Sequence, residues 1–370
     1  VSEQIAIVGG GPAGLSAALA LAAAGFRHVT IHEREQHAGG IPRHTHHQGF
    51  GLRDLHRVMS GPAYARRLVA AAERAGVEIR TGSPVFERPD ADVVLLATGV
   101  RERPRAARLI PGDRPAGLFT TGSLQQLAGQ QSRRVGRTAV IVGAEHVSFS
   151  AIWTLRSLHC RPLALVTEHP HHQTTAALRL ATAIAHRVPL ITGRRVAGID
   201  GRGRVEAVVL DDGTRLACDT VVFTGDWVPD HELARHIGLA VELGSKAPTI
   251  GADFRTSSRG VFAIGNLVHP AETADVCALD GRRVAGAVAE YLRTERWPDV
   301  TPIVAEPPLR WASYAAGWLT VRTTDRVVGR LALTDAAGGI HHGRLRRMMP
   351  NRAAHVRVPK GVVVRSVSVL

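Results

Sequence analysis

Three histidines fall within four residues, His44, His46 and His47, shortly after the double glycine Gly39–Gly40. A neutral imidazole there could take a proton from an amine or an alcohol while hydride leaves the neighbouring carbon, because its ordinary pKa lies near neutrality. His47 is the first candidate for that work and His46 the second. His269, with Glu272 close behind it, is a further one. Metal binding is the rival chemistry. Histidines this close in sequence do not converge on one ion without an unusual loop, and no carboxylate adjoins them, so no metal site is expected. A third reading leaves them as solvated or packing side chains. Residue types alone keep these readings open.

A second signal is a glycine turn. Residues 5–14 read I-A-I-V-G-G-G-P-A-G, which places Gly9, Gly11 and Gly14 in the spacing G-x-G-x-x-G. Gly9 permits a tight strand-to-helix turn, Gly11 lets the backbone approach a pyrophosphate, and Gly14 lets the helix pack closely on the sheet. The helix N-terminus then offers N–H groups and partial positive charge to the phosphates. Glu33 stands at the end of the next strand, where a carboxylate accepts hydrogen bonds from ribose hydroxyls. Residues 139–148 repeat the pattern as A-V-I-V-G-A-E-H-V-S, with Glu145 and Ser148 in the places of the later glycines. Glu145 sets a bulky anion where the backbone should meet a pyrophosphate, at a cost on the order of several kcal/mol. Tight NAD(P) binding is therefore expected to be lost, and NAD(P) use is doubtful on this reading. Glu168 reads as a surface acid.

The elements that must position these turns are visible in the hydrophobic pattern. Gln4–Gly9 and His28–Glu33 read as strands around a helix from Pro12 to Gly25, one βαβ unit. Thr138–Gly143, a helix near Val147–Leu158 and Leu163–Thr167 make a second. Other helices are expected near Gly61–Ala75 and Thr273–Arg293, other strands at Val93–Thr98, Val221–Thr224 and Gly260–Ile264, and a hairpin around Asp211–Gly213. After Trp297–Pro298 the prolines Pro302, Pro307 and Pro308 suggest a linker. Beyond them Leu319–Val328, Arg330–Leu333 and Val362–Val369 alternate like strands.

The chain of 370 residues carries a formal net charge of +14. That charge invites a nucleic-acid reading. The arginines are scattered, however, and only Lys246 and Lys360 are lysines, so no nucleic-acid partner is expected. The run Arg344–Arg347 reads as a solvated strand edge. No apolar run reaches the roughly 18 residues that span a bilayer. The Ala/Leu-rich stretch Leu15–Gly25 lacks a basic segment before it, so a cytoplasmic protein is expected. Cys160, Cys218 and Cys277 lie far apart with no C-x-x-C or C-x-x-x-x-C. This excludes a local redox dithiol, an iron–sulfur cluster of the usual spacing and a cysteine zinc site, and leaves them as core residues.

Gly39–Gly40 after Glu33, Ala97–Thr98–Gly99 after a buried strand, and T-S-S-R-G-V-F-A-I-G-N over residues 256–266 join the first turn as ordered motifs. Over residues 1–297 the chain thereby resembles the two-dinucleotide-domain flavoproteins of the glutathione-reductase type. The resemblance implies an α/β fold with two Rossmann-like three-layer domains and a small β-rich C-terminal appendage. An FAD-binding domain would comprise 1–103 and 250–297, an NAD(P)-like domain with a degenerate fingerprint 104–249, and the β-rich domain 301–370. FAD would lie against Gly9, Gly11, Pro12, Ala13 and Gly14, against Glu33 and Arg34, and against Gly40, Ile41, Arg43, Val85, Thr98 and Gly99. Gly265 and Asn266 would hold its ribityl chain, and the helix opening at Thr273 and Ala274 would point its N-terminus at the flavin pyrimidine edge. Asn266 replaces the family's aspartate and keeps an acceptor without the charge. The segment after the double glycine would put His47 and His46 beside the flavin, and His269 would stand near the pyrimidine edge.

More finely, residues 39–52, 60–64, 97–104 and 118–125 look like FAD subunits of bacterial dye-linked amine, opine and proline dehydrogenases. They are also similar to glycerol-3-phosphate-dehydrogenase-associated flavoproteins, and more distantly to the large subunit of multi-subunit sarcosine oxidase. Several such relatives carry a cysteine near the position of Thr45, so cysteine chemistry does not transfer. They often work with a second flavoprotein or an iron–sulfur subunit, for which this chain lacks the cysteines. It would act alone or borrow that element from a partner. The function expected is an FAD-dependent oxidoreductase that oxidises a small amine, amino acid or related metabolite by hydride transfer to flavin N5. The alternatives are an NAD(P)H-dependent flavin reductase or monooxygenase, and a non-catalytic FAD electron-relay or scaffold subunit.

Overall fold

A computed structural model describes residues 3–131, 135–174, 180, 187–350, 352–359 and 361–370. The chain divides into two compact units: Val1–Arg43, Gln48–Val100 and Val228–Leu370 form the first, His44–His47 and Arg101–Trp227 the second.

In the first unit five parallel strands run in the spatial order Val261–Ala263, Val93–Leu96, Gln4–Val8, His28–His32, Glu78–Arg80. The register sets Ile7 against Ile31 on one side and Leu95 on the other. Strand order reverses at Gln4–Val8, the switch point where such sheets open a crevice for a ligand. Val93, Val94, Leu95 and Leu96 are fully buried. This is the continuous apolar run of a strand covered on both faces. Helix α1 (Pro12–Ala23) starts on Pro12 and is apolar around most of its girth, as a core helix must be. Helix α2 (Gly61–Arg74) buries Tyr64, Ala65, Leu68 and Ala72, one stripe at helical spacing.

The second unit repeats the design. Its parallel sheet runs Leu190–Thr192, Arg161–Thr167, Thr138–Val142, Thr220–Phe223, Leu118–Thr120. Helices α3 (Thr121–Gln131) and α4 (His146–Ser157) accompany it. An antiparallel meander, Val196–Asp200, Ala207–Leu210 and Arg215–Ala217, contains the expected hairpin. Long helix α5 (Ala274–Thr294) belongs to the first unit and packs along α1.

The C-terminal segment is β-rich. One sheet orders Val304–Ala305, Val364–Val369, Val327–Asp335, Ile340–Met348, and a second orders Leu309–Ala315, Trp318–Thr323, Ala354–Arg357. The continuous strand expected over 319–328 is broken at Thr324–Arg326, where the Thr324 N–H bonds to the Pro308 carbonyl at 2.9 Å and three polar residues turn the chain. The strands Ile340–Met348 and Ala354–Arg357 escape the hydrophobic pattern because histidines and arginines occupy much of their length, and Leu309–Ala315 because it follows directly on the prolines that read as a linker. Arg344–Arg347 lies on the outermost strand of its sheet, as expected of a solvated edge. Among the described residues no helix is long and apolar enough to cross a membrane.

Candidate functional site

The strand Gln4–Val8 delivers the chain to Gly9, which has φ +110° and whose Cβ would lie 2.4 Å from the Ala97 carbonyl oxygen. Any side chain there would strike backbone. Gly11 is the opposite case. A Cβ on it would meet nothing nearer than the Gly40 Cα at 3.9 Å, so an open space lies beside the N-cap of α1. The double-glycine segment is tied to this turn by a hydrogen bond from the Gly39 N–H to the Gly10 carbonyl at 2.7 Å. Pro12 opens α1 and Ala13 is buried behind it. This is a cradle that a side chain would fill and a pyrophosphate fits.

Glu33 is buried beside the turn. Its Oε2 accepts the Gly10 N–H and its Oε1 the Glu35 N–H, each at 2.9 Å. A carboxylate offers about four acceptor sites, so it retains capacity for ribose hydroxyls. Arg34 pairs with Asp230 at 2.9 Å. The Thr98 hydroxyl donates to the Asp230 carbonyl at 2.6 Å, and the Gly99 carbonyl accepts the Asp230 N–H at 2.9 Å. Arg43 pairs with Glu35, Ile41 is exposed, and Val85 is half-buried against the core. The late motif forms a 3-10 turn, Gly265–Leu267. There the Asn266 amide grips the Glu272 backbone in both directions, its Oδ1 accepting the N–H at 2.6 Å and its Nδ2 donating to the carbonyl at 3.0 Å. Thr273 caps α5 and Ala274 is its first residue.

The candidate histidines fall in different units. His269 is buried in the first, with Nε2 paired to Asp280 of α5 and Nδ1 without a partner among the described residues. Burial opposes its protonated form, but the Asp280 carboxylate outweighs this and holds the imidazole above its ordinary pKa. His44–His47 group with the second unit. There the His47 ring lies 5.3 Å from that of Trp153 on α4, and the Thr45 hydroxyl bonds to Gln125 of α3 at 3.2 Å. Among the described residues no group of three or more His, Cys, Asp or Glu is placed to hold a metal.

Several polar residues escaped the sequence reading. Asp275, in the first turn of α5, accepts the Gly51 and Arg53 N–H groups at 3.0 and 2.8 Å. An acid in a first helical turn is a legible signal, but its partners more than two hundred residues earlier are not. Asp54 is buried against the Tyr64 hydroxyl at 2.7 Å, and burial raises its pKa despite that bond. Glu272, half-buried, is approached by His355 at 3.4 Å, and Arg322 donates to the Ala271 carbonyl at 3.5 Å, so the β-rich segment is anchored to the loop before α5.

In the second unit Glu145 caps α4 and turns its carboxylate back on the glycine turn, accepting the Ala144 N–H at 2.9 Å. Beside it Glu102 accepts the Gly122 N–H at 2.8 Å, and burial pushes its carboxyl up to about 7. All three cysteines are buried and free, and burial lifts Cys160 and Cys218 to about 11 and Cys277 well above its usual range. Such thiols are poor nucleophiles.

The family model described as pyridine nucleotide-disulphide oxidoreductase matches residues 3–281. A putative glutamate synthase [NADPH] small chain of Cereibacter sphaeroides is 28% identical over 332 residues, covering 79% of this chain and 77% of that one. The biphenyl dioxygenase system ferredoxin–NAD(+) reductase component of Paraburkholderia xenovorans is 31% identical over 294 residues, 72% of this chain and 67% of that one. The solved thioredoxin reductase of T. acidophilum superposes with a TM-score of 0.66 at 18% identity, over 79% of this chain and 99% of that one, a likeness of fold. These matches bear out the two-dinucleotide-domain fold, but not the finer likeness to amine, opine and proline dehydrogenase subunits. They also correct the reading of NAD(P) use as doubtful, since relatives spanning both dinucleotide units are named for NADPH and NAD(+). The physical reason is that Glu145 and Ser148 in place of the later glycines leave the strand, turn and helix of the second unit intact, and a glutamate side chain can rotate away where backbone cannot.

Proposed function

The chain belongs to the pyridine nucleotide-disulphide oxidoreductase family, and we propose that it is an FAD-containing reductase that takes hydride from NAD(P)H and passes electrons to an iron–sulfur protein or a second flavoprotein subunit. It is an FAD-dependent oxidoreductase by family. The observation that carries the finer reading is the pairing of two switch-point turns, one open above Gly11 and one built on Gly143, with cysteines too buried to serve as a redox dithiol. The family's disulphide chemistry therefore has no local dithiol to run on, and an external electron acceptor fits better. The relatives named as ferredoxin reductases support that direction over oxidation of a small amine.

In this reading the FAD domain comprises 1–103 and 250–297, the nicotinamide-nucleotide domain 104–249 and the appendage 301–370. The turn Gly9–Gly14 and the α1 N-terminus bind the pyrophosphate, and Glu33 takes the ribose hydroxyls. Arg34, Gly40, Ile41, Arg43, Val85, Thr98 and Gly99 line the cofactor's path, with Gly265 and Asn266 at its ribityl chain. The α5 N-terminus at Thr273–Ala274 offers positive potential to the pyrimidine edge, which stabilises negative charge there. His47, His46 and His269 are the proton-handling candidates. FAD, when bound, supplies acceptance of a hydride and release of single electrons.

Anaerobic stopped-flow on the flavin-loaded protein tests this. Bleaching by NADH or NADPH, followed by electron delivery to an added ferredoxin, is expected. Bleaching only by an amine or amino-acid panel would overturn the proposal.

A further inference from the structure

The turn of the second unit already holds an anion. Glu145 is only 4% exposed, an acid buried where a helix of this architecture presents its N-terminus to phosphate. The side chain does not project outward from α4. Its Oε2 accepts the Ala144 N–H at 2.9 Å, while the Glu145 N–H is taken by the Ser148 hydroxyl at 3.1 Å, which in turn meets the Thr224 hydroxyl at 2.7 Å. A Cβ on Gly143 would lie 2.8 Å from Oε2, and one on Gly225 3.0 Å from Oε1. The carboxylate therefore sits across the ends of Thr138–Val142 and Thr220–Phe223, adjacent strands of the sheet.

A second observation shows that this anion is only partly held. Oε1 of Glu145 is buried with no hydrogen-bond partner among the described residues. A buried carboxylate oxygen left unpaired is costly, so the folded-back position is not a deep well for the side chain. The neighbours divide by sign. Glu102, a second acid, faces Glu145, which adds to the rise in its pKa, and its own Oε1 is buried with no hydrogen-bond partner among the described residues. The Arg108 guanidinium faces both carboxylates and donates to the Thr224 and Gly225 carbonyls at 3.0 and 2.9 Å.

We propose that Glu145 is an internal anion seated in the phosphate turn of the second unit, and that it sets the affinity for nicotinamide dinucleotide by competing for the same place. The proposal rests on the NAD(P)H-reductase reading above. A pyrophosphate needs the amides at the start of α4 and the room over Gly143. The carboxylate holds one of those amides and fills that room, so the nucleotide enters as the side chain rotates out. Rotation of the side chain leaves the backbone in place, because the Glu145 N–H stays with the Ser148 hydroxyl and its carbonyl with the Ser148 N–H, each at 3.1 Å. A nucleotide held against such a competitor also leaves readily, which suits a hydride donor that must exchange at every turnover.

The test is NAD+ and NADP+ binding by calorimetry to the oxidised, flavin-loaded protein and to its Glu145→Gly and Glu145→Gln variants. Glu145→Gly removes volume and charge and is expected to tighten binding at least tenfold. Glu145→Gln keeps the volume and the acceptor for Ala144 while removing the charge, and is expected to give a smaller gain. Flavin absorbance and the unfolding midpoint confirm that each variant is folded. Dissociation constants within twofold of one another, with the wild type binding, overturn the proposal and leave the reductase reading standing. No binding to any of the three overturns both.

Discussion

Gly281 and Gly286 lie five residues apart on α5, and the same substitution should act on them with opposite sign. A Cβ at Gly281 would stand 2.2 Å from the Ala13 carbonyl oxygen, 2.8 Å from the Ala17 nitrogen and 3.1 Å from the Ser16 Cβ, all on α1. Ordinary contact begins at 3.4 Å, so α5 and α1 must part by roughly 1.2 Å, and the nearest obstacles are backbone atoms that cannot rotate aside. Overpacking of this kind costs about 1–3 kcal/mol, and exchanging glycine for alanine inside a helix returns about 0.5–1 kcal/mol. With backbone as the obstacle, Gly281→Ala should lose about 2 kcal/mol net. Gly286 is exposed and a Cβ there meets nothing within 4 Å, so Gly286→Ala should gain the helix term alone, about 0.5–1 kcal/mol. Because α1 opens on the turn proposed to bind the flavin pyrophosphate, the Gly281 variant should also release flavin at lower denaturant. Denaturant unfolding followed by circular dichroism and by the fluorescence of released flavin measures both effects. A Gly281→Ala protein as stable as Gly286→Ala, with flavin equally retained, would refute the packing argument.

Two further consequences concern buried carboxylates. Glu102, raised by burial from 4.5 to about 7, is held protonated by the fold. The stability this gives is full below pH 4.5 and is lost as pH climbs through 7, by on the order of 3 kcal/mol. Glu102→Gln should flatten the fall in unfolding free energy between pH 5 and 8, and parallel pH profiles would dismiss the assignment. Asp275→Ala strips the buried Gly51 N–H and the part-buried Arg53 N–H of their acceptor, at a cost of about 1–3 kcal/mol. Faster amide hydrogen exchange at both positions is the expected signature, and unchanged protection at both would count against it.

The first glycine turn was legible from residues 4–33 because everything it needs is local. The apolar alternation of strands, the glycine spacing, the proline opening α1 and the acid ending the next strand all lie within about one βαβ unit. The same holds for the second unit's strand, turn and helix. The tail was half legible: Val362–Val369 carries its own pattern, whereas Ile340–Met348, filled with histidine and arginine, becomes a strand by pairing with Val327–Asp335. The reading of Glu145 shows where local inference ends. Its type and position were plain, and a steric block was the natural conclusion. Its conformation, folded back between Gly143 and Gly225, depends on a strand some eighty residues later. His44–His47 behave alike, since a histidine cluster can be recognised in sequence, yet its grouping with Trp153 and Gln125 is settled by distant contacts. Sequence alone determined the two glycine turns, the strands and helices around them and the absence of a closely spaced dithiol. Tertiary structure decided which carboxylates are buried, which amides Asp275 and Glu145 hold, and that His269 meets Asp280. Turn geometry and periodicity are properties of neighbouring residues, whereas desolvation and charge pairing arise only when remote segments exclude water together.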